Sequence, residues 1–226
     1  MPRTPRVAPG GLVYHVLNRS AGRFKMFRKD SDYAAFERVL TEAHEKYPLR
    51  ILSYCVLATH WHFVAWPRED GELTQFFRWL ANTHAVRWRV AHDTVGWGHL
   101  YQGRFKSFPI KTDEHLLTVC RYVERNAVSA ELVDDARRWR WGSMWAREHG
   151  DEKLSDLLCD WPVVRPADWP RLVNTPLTVK ELERLQLSID RGRPFGDDRW
   201  TAQTAARLGM ESTLRSRGGQ RKSSKS

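Results

Sequence analysis

The sequence predicts an α+β fold in which an antiparallel sheet is built in the order β-α-β-β-α-β, the ferredoxin-like pattern. Short runs rich in Ile, Leu, Val and Tyr alternate with longer stretches whose apolar residues recur at helical spacing. Proline and glycine separate these segments, as at Pro48, Pro67 and Gly96. With 226 residues, 41% hydrophobic and 12% aromatic, the chain is long and apolar enough to bury a core.

The first part of the chain contains an arm, a strand, a loop and a helix. Residues 1–11 are basic and rich in proline and glycine, which predicts a loose arm, and residues 12–18 predict the first strand. The loop 19–27 is basic and contains glycine, so it either holds phosphates or is an ordinary solvated turn. A helix capped by Asp30 or Ser31 follows and ends before Pro48.

A hairpin and a second helix come next. Residues 49–56 predict the second strand, and so little chain separates it from the third strand, which ends at Pro67, that the two form a hairpin. Residues 72–92 predict the second helix. In the ferredoxin-like order the first and third strands are central, so side chains of the third strand lie in the middle of the sheet.

The stretch 99–110 interleaves aromatic and basic residues. Arg104 and Lys106 alternate with Phe105, and Phe108 follows. This pattern suits a strand that stacks nucleobases and neutralises phosphates, whereas the simpler alternative is an edge strand with a basic outer face. The net charge favours contact with DNA.

Beyond residue 150 the pattern weakens, which divides the chain into a domain at 1–150 and a mainly helical, basic extension at 151–226. Short helices are predicted at 154–159, 178–189 and 200–208, with turns at 161–162 and 168–170. Residues 208–214 weakly resemble a small helix-turn-helix, and a packing helix is at least as good a reading. The last sixteen residues hold five basic side chains and one acidic side chain, typical of a polybasic tail for nucleic acid.

Composition narrows the class of partner. The formal net charge of +10 and the pI of about 9.8 favour a polyanion, either nucleic acid or an acidic membrane surface. No run approaches the ~18 apolar residues of a membrane helix, and no signal peptide is recognisable, so nucleic acid is the better prediction. The cysteines Cys55, Cys120 and Cys159 form neither a disulfide framework nor a zinc motif, which fits a reducing cytoplasm.

The strongest candidate site lies in the third strand, where His60 and His62 are two residues apart. Side chains of a strand alternate between its faces, so both imidazoles point to one side while Trp61 and Phe63 point into the core. Imidazole is the commonest protein ligand of metals, and the pair forms half of a divalent-metal site. By itself such a pair is more often structural.

A second candidate lies in the helix predicted to begin at Thr112, with Asp113 and Glu114 in its first turn. Tyr122 and Asn126 are four residues apart, so they share one face of this helix. A tyrosine can act as a covalent nucleophile, and an amide oxygen can complete the ligand shell of a hard metal. The structural alternative is a half-buried tyrosine and a polar residue near the helix end.

Together these motifs resemble a known family. His60-Trp61-His62 resembles the His-hydrophobe-His signature of HUH single-strand nucleases, and residues 121–126 resemble the helix that carries their catalytic tyrosine. Residues 14–19, 98–107 and 139–143 resemble further blocks of the REP-associated tyrosine transposases, relatives of the single-strand insertion-sequence transposases, in the family order. The chain departs from the family pattern at Thr59, Trp61 and Ala127, where asparagine, an aliphatic residue and proline are usual.

The resemblance implies the same fold and metal-assisted transesterification of single-stranded DNA. Tyr122 is then the catalytic nucleophile and forms a 5′-phosphotyrosine, a bond that allows rejoining or strand transfer without ATP or another nucleotide cofactor. His60, His62 and, by its spacing and the resemblance, Asn126 are the expected ligands of Mg²⁺ or Mn²⁺. Tyr14 and Tyr101, in other family-like blocks, are the competing nucleophiles.

The expected substrate, by the same resemblance, is a palindromic REP hairpin cut next to a short single-stranded tag by a monomer. The expected DNA contacts are Arg19, Arg23, Arg104, Lys106 and Arg121. Three other functions stay open: a non-catalytic module that binds single-stranded nucleic acid, a regulator that reads duplex DNA through its C-terminal segment, and a metal-dependent hydrolase without covalent chemistry.

Overall fold

A computed structural model describes residues 7–150 and 152–215. Four strands form one sheet in the order β2-β3-β1-β4, and every neighbouring pair is antiparallel. The strands are β1 Val13–Arg19, β2 Arg50–Leu57, β3 His60–Trp66 and β4 Lys106–Ile110. The predicted central position of the first and third strands is confirmed, as is the hairpin between β2 and β3.

Eight α-helices surround this sheet in the part of the chain that the structure describes. They are α1 Asp30–Lys46, α2 Glu72–Ala91, α3 Glu114–Ser129, α4 Ser143–His149, α5 Glu152–Asp156, α6 Trp169–Asn174, α7 Val179–Arg191 and α8 Asp198–Arg207. The element order through α3 is β-α-β-β-α-β-α, so the predicted α+β, ferredoxin-like fold is confirmed. No helix within the described ranges is both long and apolar enough to cross a membrane.

The sheet separates two hydrophobic clusters, and strand alternation decides which residue joins which. Trp61 and Phe63 of β3 are fully buried and pack with α1 and α2 on one face. Val64, also in β3, packs with the apolar stripe of α3 on the other face. His62 points to this α3 side, at 2% exposure. The period of two in β3 therefore puts the histidines and the bulky aromatic residues on opposite faces.

Three predicted element boundaries change in the structure. The N-cap of α3 is Asp113, not Thr112, because the Asp113 carboxylate accepts a hydrogen bond from the backbone N–H of His115 at 2.9 Å. The N-cap of α1 is Lys29, one residue before Asp30 and two before Ser31, the predicted caps. The turn predicted at 168–170 is wrong: Trp169 begins α6, with Pro170 in the first turn, where a missing N–H costs nothing.

The stretch 99–110 also differs from its prediction. Only Lys106–Ile110 forms a strand, and an isolated bridge pairs Tyr101 with Ser20. Phe105 and Phe108 are buried at 4% and 1% exposure, so they belong to the core, and the prediction that they stack nucleobases is wrong. The basic side chains of Arg104 and Lys106 remain exposed.

The extension beyond residue 150 packs against α3, the helix that contains Tyr122. Trp169, Val173, Leu185 and Phe195 are buried in the same cluster as α3. The guanidinium of Arg125 donates to the carbonyl oxygens of residues 173 and 174 at the end of α6. The part of the polybasic tail at 216–226 lies outside the described residues.

Neither the helix-turn-helix that residues 208–214 weakly resemble nor the alternative packing helix is formed. After α8 the chain makes one 3-10 turn at Glu211–Thr213, which is too short to act as a recognition helix. A duplex-reading helix at this position is therefore excluded.

Candidate active site

The register of β1 and β3 builds one wall of the site. Leu17 lies opposite His62, and Arg19 lies opposite His60. The two histidine rings are 4.9 Å apart between centroids and nearly perpendicular. Both rings lie on the α3 side of the sheet, as the alternation of β3 predicts.

Tyr122 faces these histidines from α3. Its ring centroid lies 5.7 Å from that of His62, and the two planes are almost perpendicular at 88°. Val119, Cys120 and Val123 are fully buried and fix the face of α3 that packs on the sheet. Tyr122 is half-buried at the border of this stripe. The structure thus brings together the two motifs that are about sixty residues apart in the sequence.

His15 of β1 completes a row of three imidazoles and is a residue that pattern reasoning did not assign to the site. It is fully buried, and its Nε2 atom lies 2.9 Å from Nδ1 of His62. Its ring also packs 4.9 Å from that of Phe108. A signal was available: between Val13 and Leu17, whose side chains face the same side of β1, a polar residue is unexpected.

Thr59 contacts the other histidine. Its hydroxyl oxygen lies 2.9 Å from Nδ1 of His60. Both histidines therefore have Nδ1 engaged, and Nε2 is the nitrogen of each ring that remains for a cation. With the proton on Nδ1, His60 donates to the hydroxyl of Thr59 and His62 donates to Nε2 of His15. Metal-binding histidines are usually oriented by such a hydrogen bond from the second ring nitrogen.

The candidate ligands of a divalent cation are Nε2 of His60, Nε2 of His62 and the amide oxygen of Asn126. The Nδ2 atom of Asn126 donates to the backbone carbonyl of Tyr122 at 2.9 Å and so leaves Oδ1 for a ligand. Two imidazole nitrogens make this set softer than an all-oxygen site, which favours Mn²⁺ over Mg²⁺.

Burial sets the protonation of these groups. It lowers the pKa of His60 to about 4, with help from the positive charge of Arg19, and it lowers the pKa of His62 well below its usual range. Both imidazoles are therefore neutral near pH 7, the form that binds metals. Burial raises the pKa of Tyr122, while Arg19 and the side chain of Asn126 oppose that rise.

The predicted DNA contacts divide into two groups. Arg19, Arg104 and Lys106 line one cavity of about 150 Å³ at the end of β1. Arg23 is exposed in a 3-10 turn that follows β1. Arg121 points elsewhere: its guanidinium donates to the carbonyl oxygen of Pro176 at 2.6 Å, so its contacts are with the extension.

The competing tyrosines lie on the opposite side of the sheet. Tyr14 donates to the carbonyl oxygen of Pro9 at 2.9 Å, and the hydroxyl of Tyr101 accepts from Trp61 Nε1 at 3.1 Å. Both are buried in the cluster formed with α1 and α2, and burial raises the pKa of each hydroxyl. Neither faces the pair formed by His60 and His62.

Another cluster of potential metal ligands lies at the start of α3. Within the described ranges, Asp113, Glu114 and His115 have ligand atoms that are all within 4.8 Å of one another. However, Lys111 Nζ lies 2.7 Å from carboxylate oxygens of both Asp113 and Asp197. The ammonium group of Lys111 is therefore already paired with one carboxylate of this cluster, and through Asp197 it connects the start of α3 with the start of α8.

Comparison with known proteins assigns this chain to a family of transposases. A family model described as IS200-like transposase matches residues 10–126, just over half of the chain. The chain therefore belongs to the IS200-like transposase family. No curated protein matches it in sequence.

One solved structure supports the fold. It is the structure of a REP-associated tyrosine transposase bound to a REP hairpin, which aligns with a TM-score of 0.53 at 16% sequence identity. The alignment covers 74% of this chain and 96% of the other chain.

Proposed function

We propose that this protein is a metal-dependent endonuclease and strand transferase that acts on single-stranded DNA through a 5′-phosphotyrosine. The observation that carries the proposal is the position of Tyr122, which faces His60 and His62 across the space between α3 and the sheet, 5.7 Å from the His62 ring. A nucleophile beside two neutral imidazoles is the arrangement that metal-assisted phosphoryl transfer needs.

In the proposed reaction the Tyr122 oxygen attacks the scissile phosphorus. A bond forms between this oxygen and phosphorus, the bond to the 3′ oxygen breaks, and that oxygen leaves as a 3′-hydroxyl after taking up a proton. The protein then holds the 5′-phosphate of the downstream strand. Attack by another 3′-hydroxyl reverses these bond changes, so the strand is rejoined or transferred without ATP.

The surrounding residues prepare Tyr122 for this step. Its raised pKa means that the hydroxyl is protonated at neutral pH and must lose its proton during attack. The nearby charge of Arg19 stabilises the developing negative charge on the tyrosine oxygen and on the phosphate. When bound by His60, His62 and Asn126, Mg²⁺ or Mn²⁺ supplies Lewis-acid polarisation of the scissile phosphate.

Single-stranded DNA with a hairpin is the proposed substrate. The net charge of +10 supports a polyanionic partner, and the structurally similar transposase is bound to a REP hairpin. Arg19, Arg104 and Lys106 are the proposed phosphate contacts nearest to the catalytic residues. A monomer and a cytoplasmic location are parts of the same proposal.

The test is a denaturing gel with hairpin DNA labelled at either end, incubated with Mn²⁺. The wild type is expected to give a slow protein band that carries the 3′-terminal label, and the Tyr122→Phe and His62→Ala variants are expected to lose it. Tyr14→Phe is the matched control, because it removes a hydroxyl from the opposite side of the sheet and should keep the adduct.

Other outcomes favour the alternatives. Cleavage that persists in Tyr122→Phe without an adduct would make water the nucleophile and the protein a hydrolase. Tight binding without cleavage under any metal condition would favour a non-catalytic binding module. If the adduct is lost in Tyr14→Phe but kept in Tyr122→Phe, the nucleophile is Tyr14 and not Tyr122.

A further inference from the structure

A cavity between α1 and α2 is lined by residues that the proposed chemistry does not use. It has a volume of about 340 Å³. Ala35 and Val39 of α1 and Ala91 of α2 form apolar parts of its wall, and the small alanine side chains leave space between the helices. The cavity lies on the α1 and α2 side of the sheet, opposite to the candidate active site. A volume in this range suits a small organic molecule.

A chain of three buried side chains leads from β3 to this cavity. The indole N–H of Trp61 donates to the hydroxyl of Tyr101 at 3.1 Å, and the same hydroxyl oxygen lies 2.7 Å from Nδ1 of His84. The other ring nitrogen of His84, Nε2, is buried and has no hydrogen-bond partner within the described ranges. Because His84 also lines the cavity, a bound molecule can supply the partner that Nε2 lacks.

The direction of these hydrogen bonds places a proton on Nε2 of His84. An indole nitrogen only donates, so the Tyr101 hydroxyl accepts from Trp61 and still has its own proton to donate. The arrangement that leaves the fewest buried groups unpaired has Tyr101 donate to Nδ1 of His84, whose single proton is then on Nε2. Burial lowers the pKa of His84 to about 3, so the ring is neutral near pH 7. A ligand that pairs with His84 must therefore offer an acceptor.

Asp32 indicates that this acceptor is uncharged. Its carboxylate lines the same cavity at 5% exposure, and after burial, which lowers the pKa of His84, the charge of Asp32 is the next influence and raises it. The carboxylate is held by the backbone N–H of Arg28 at 2.9 Å and lies 3.3 Å from Nε2 of His92. A negative group placed beside this buried carboxylate would be repelled. The inner end of a ligand is therefore neutral.

The outer part of the cavity is basic. Lys29 and Arg38 line it with exposed side chains. Arg87 also lines it, but two contacts of 2.7 Å with the carboxylate of Glu42 already hold its guanidinium. In formal charge, these three basic side chains and the carboxylates of Asp32 and Glu42 leave one positive charge. A single carboxylate on the ligand balances that charge, and a guanidinium pairs well with it.

We propose that this cavity binds a small organic monoanion, whose neutral acceptor atom pairs with the Nε2–H of His84 and whose carboxylate lies against Lys29 and Arg38. The ligand spans from the buried end of the cavity, where Asp32 excludes negative charge, to the basic outer end. The inference does not depend on the chemistry of Tyr122, because the two sites lie on opposite faces of the sheet.

The test is isothermal titration calorimetry at pH 7.5 with isonicotinate and its longer homologue para-pyridylbenzoate, which have a ring nitrogen at one end and a carboxylate at the other. Benzoate and biphenylcarboxylate are the matched compounds without the nitrogen. At least one nitrogen-containing probe is expected to bind about tenfold more tightly than its match, the effect of pairing one buried donor. In His84→Phe, which keeps a ring but removes the donor, both members of that pair should bind equally.

Two surface variants keep the test decisive if His84→Phe disturbs folding. Ala91→Trp fills the cavity from an exposed position and is expected to abolish binding of the probe, whereas Val90→Trp should not, because Val90 is 62% exposed and does not line the cavity. Arg38→Gln should weaken a probe and its nitrogen-free match to the same degree, several-fold. Arg78→Gln is its control, because Arg78 is exposed on α2 and lines a different groove.

Three results would overturn the inference. They are the absence of binding of both probes to the wild type, equal affinities of each probe and its nitrogen-free match, and binding that survives Ala91→Trp. None of these results bears on the proposed reaction, because the probes are titrated without DNA. Loss of the covalent adduct in the gel assay would likewise leave the cavity between α1 and α2 unaffected.

Discussion

Replacing His15 with phenylalanine would remove the partner of His62 Nδ1 while keeping a planar ring in the same space. In the wild type these atoms are 2.9 Å apart, and the His15 ring packs against Phe108 at 4.9 Å. The other nitrogen of His15, Nδ1, has no hydrogen-bond partner among the described residues. Phenylalanine removes the unpaired Nδ1 of His15 but leaves Nδ1 of His62 without its partner. Because these two effects oppose each other, we expect the net cost to folding to be small.

The effect on the metal should be larger than the effect on folding. Without His15, the His62 ring loses the acceptor that fixes its tautomer and its orientation. Loss of such a supporting hydrogen bond typically weakens metal binding 10- to 100-fold, or about 1.4–2.8 kcal/mol. Isothermal titration calorimetry with Mn²⁺ at pH 7.5 measures this directly, and a thermal melt of the same sample measures stability.

His84→Phe is the matched control. His84 is also a buried histidine with one engaged nitrogen, 2.7 Å from the Tyr101 hydroxyl, and one that lacks a partner within the described ranges. It lies on the α1 and α2 side, away from His62. We expect His84→Phe to leave the affinity for Mn²⁺ unchanged. Unaltered affinity in His15→Phe, or equal weakening in both variants, would refute the view that His15 orients His62.

Three further outcomes are expected. Thr59→Val removes the partner of His60 Nδ1 and should weaken Mn²⁺ binding about tenfold, whereas Thr59→Ser keeps the hydroxyl and should keep the affinity of the wild type. Equal affinities of Thr59→Val and wild type in calorimetry would contradict the view that Thr59 orients His60. Burial lowers the pKa of His84 to about 3, against about 6.5 when unfolded, so between these values the unfolded state binds one more proton. The contribution of His84 to the free energy of unfolding should therefore rise by about 1.4 kcal/mol for each unit that the pH rises between these values. Urea titrations at pH 5 and 6 should give a pH slope that is shallower by this amount for His84→Gln. Arg125→Met removes the bonds to the end of α6 and should destabilise the protein by about 1–3 kcal/mol, with earlier proteolytic cleavage near α6; an unchanged digestion pattern would count against the packing role of Arg125.

Elements with strong periodicity could be predicted from the sequence because their pattern is local. The apolar stripe of α3 and the alternation of β3 depend only on residues within a few positions of one another, and both are confirmed. The short helix α6 could not be predicted in this way. Its first residue, Trp169, is buried, and its indole N–H donates to the carboxylate of Glu124 at 2.6 Å. A helix of one or two turns depends on such distant contacts more than on its own propensity.

The candidate site shows the same division between local and distant information. The pairing of His60 with His62, and of Tyr122 with Asn126, follows from spacing on one strand and one helix. The role suggested for His15 does not, because its contact with His62 joins two strands and depends on the register between them. The burial of Phe105 and Phe108 likewise depends on which helices cover each face of the sheet.

The sequence by itself determined the order of the elements, the face on which the histidines lie and the helix that carries Tyr122, since periodicity and spacing encode these features within each element. Only the tertiary structure decided that Tyr122 faces His62, that Tyr14 and Tyr101 lie on the opposite side, and that Arg121 turns towards the extension. These relations arise when the two hydrophobic clusters pack on opposite faces of one sheet, and no local pattern specifies how separate elements meet.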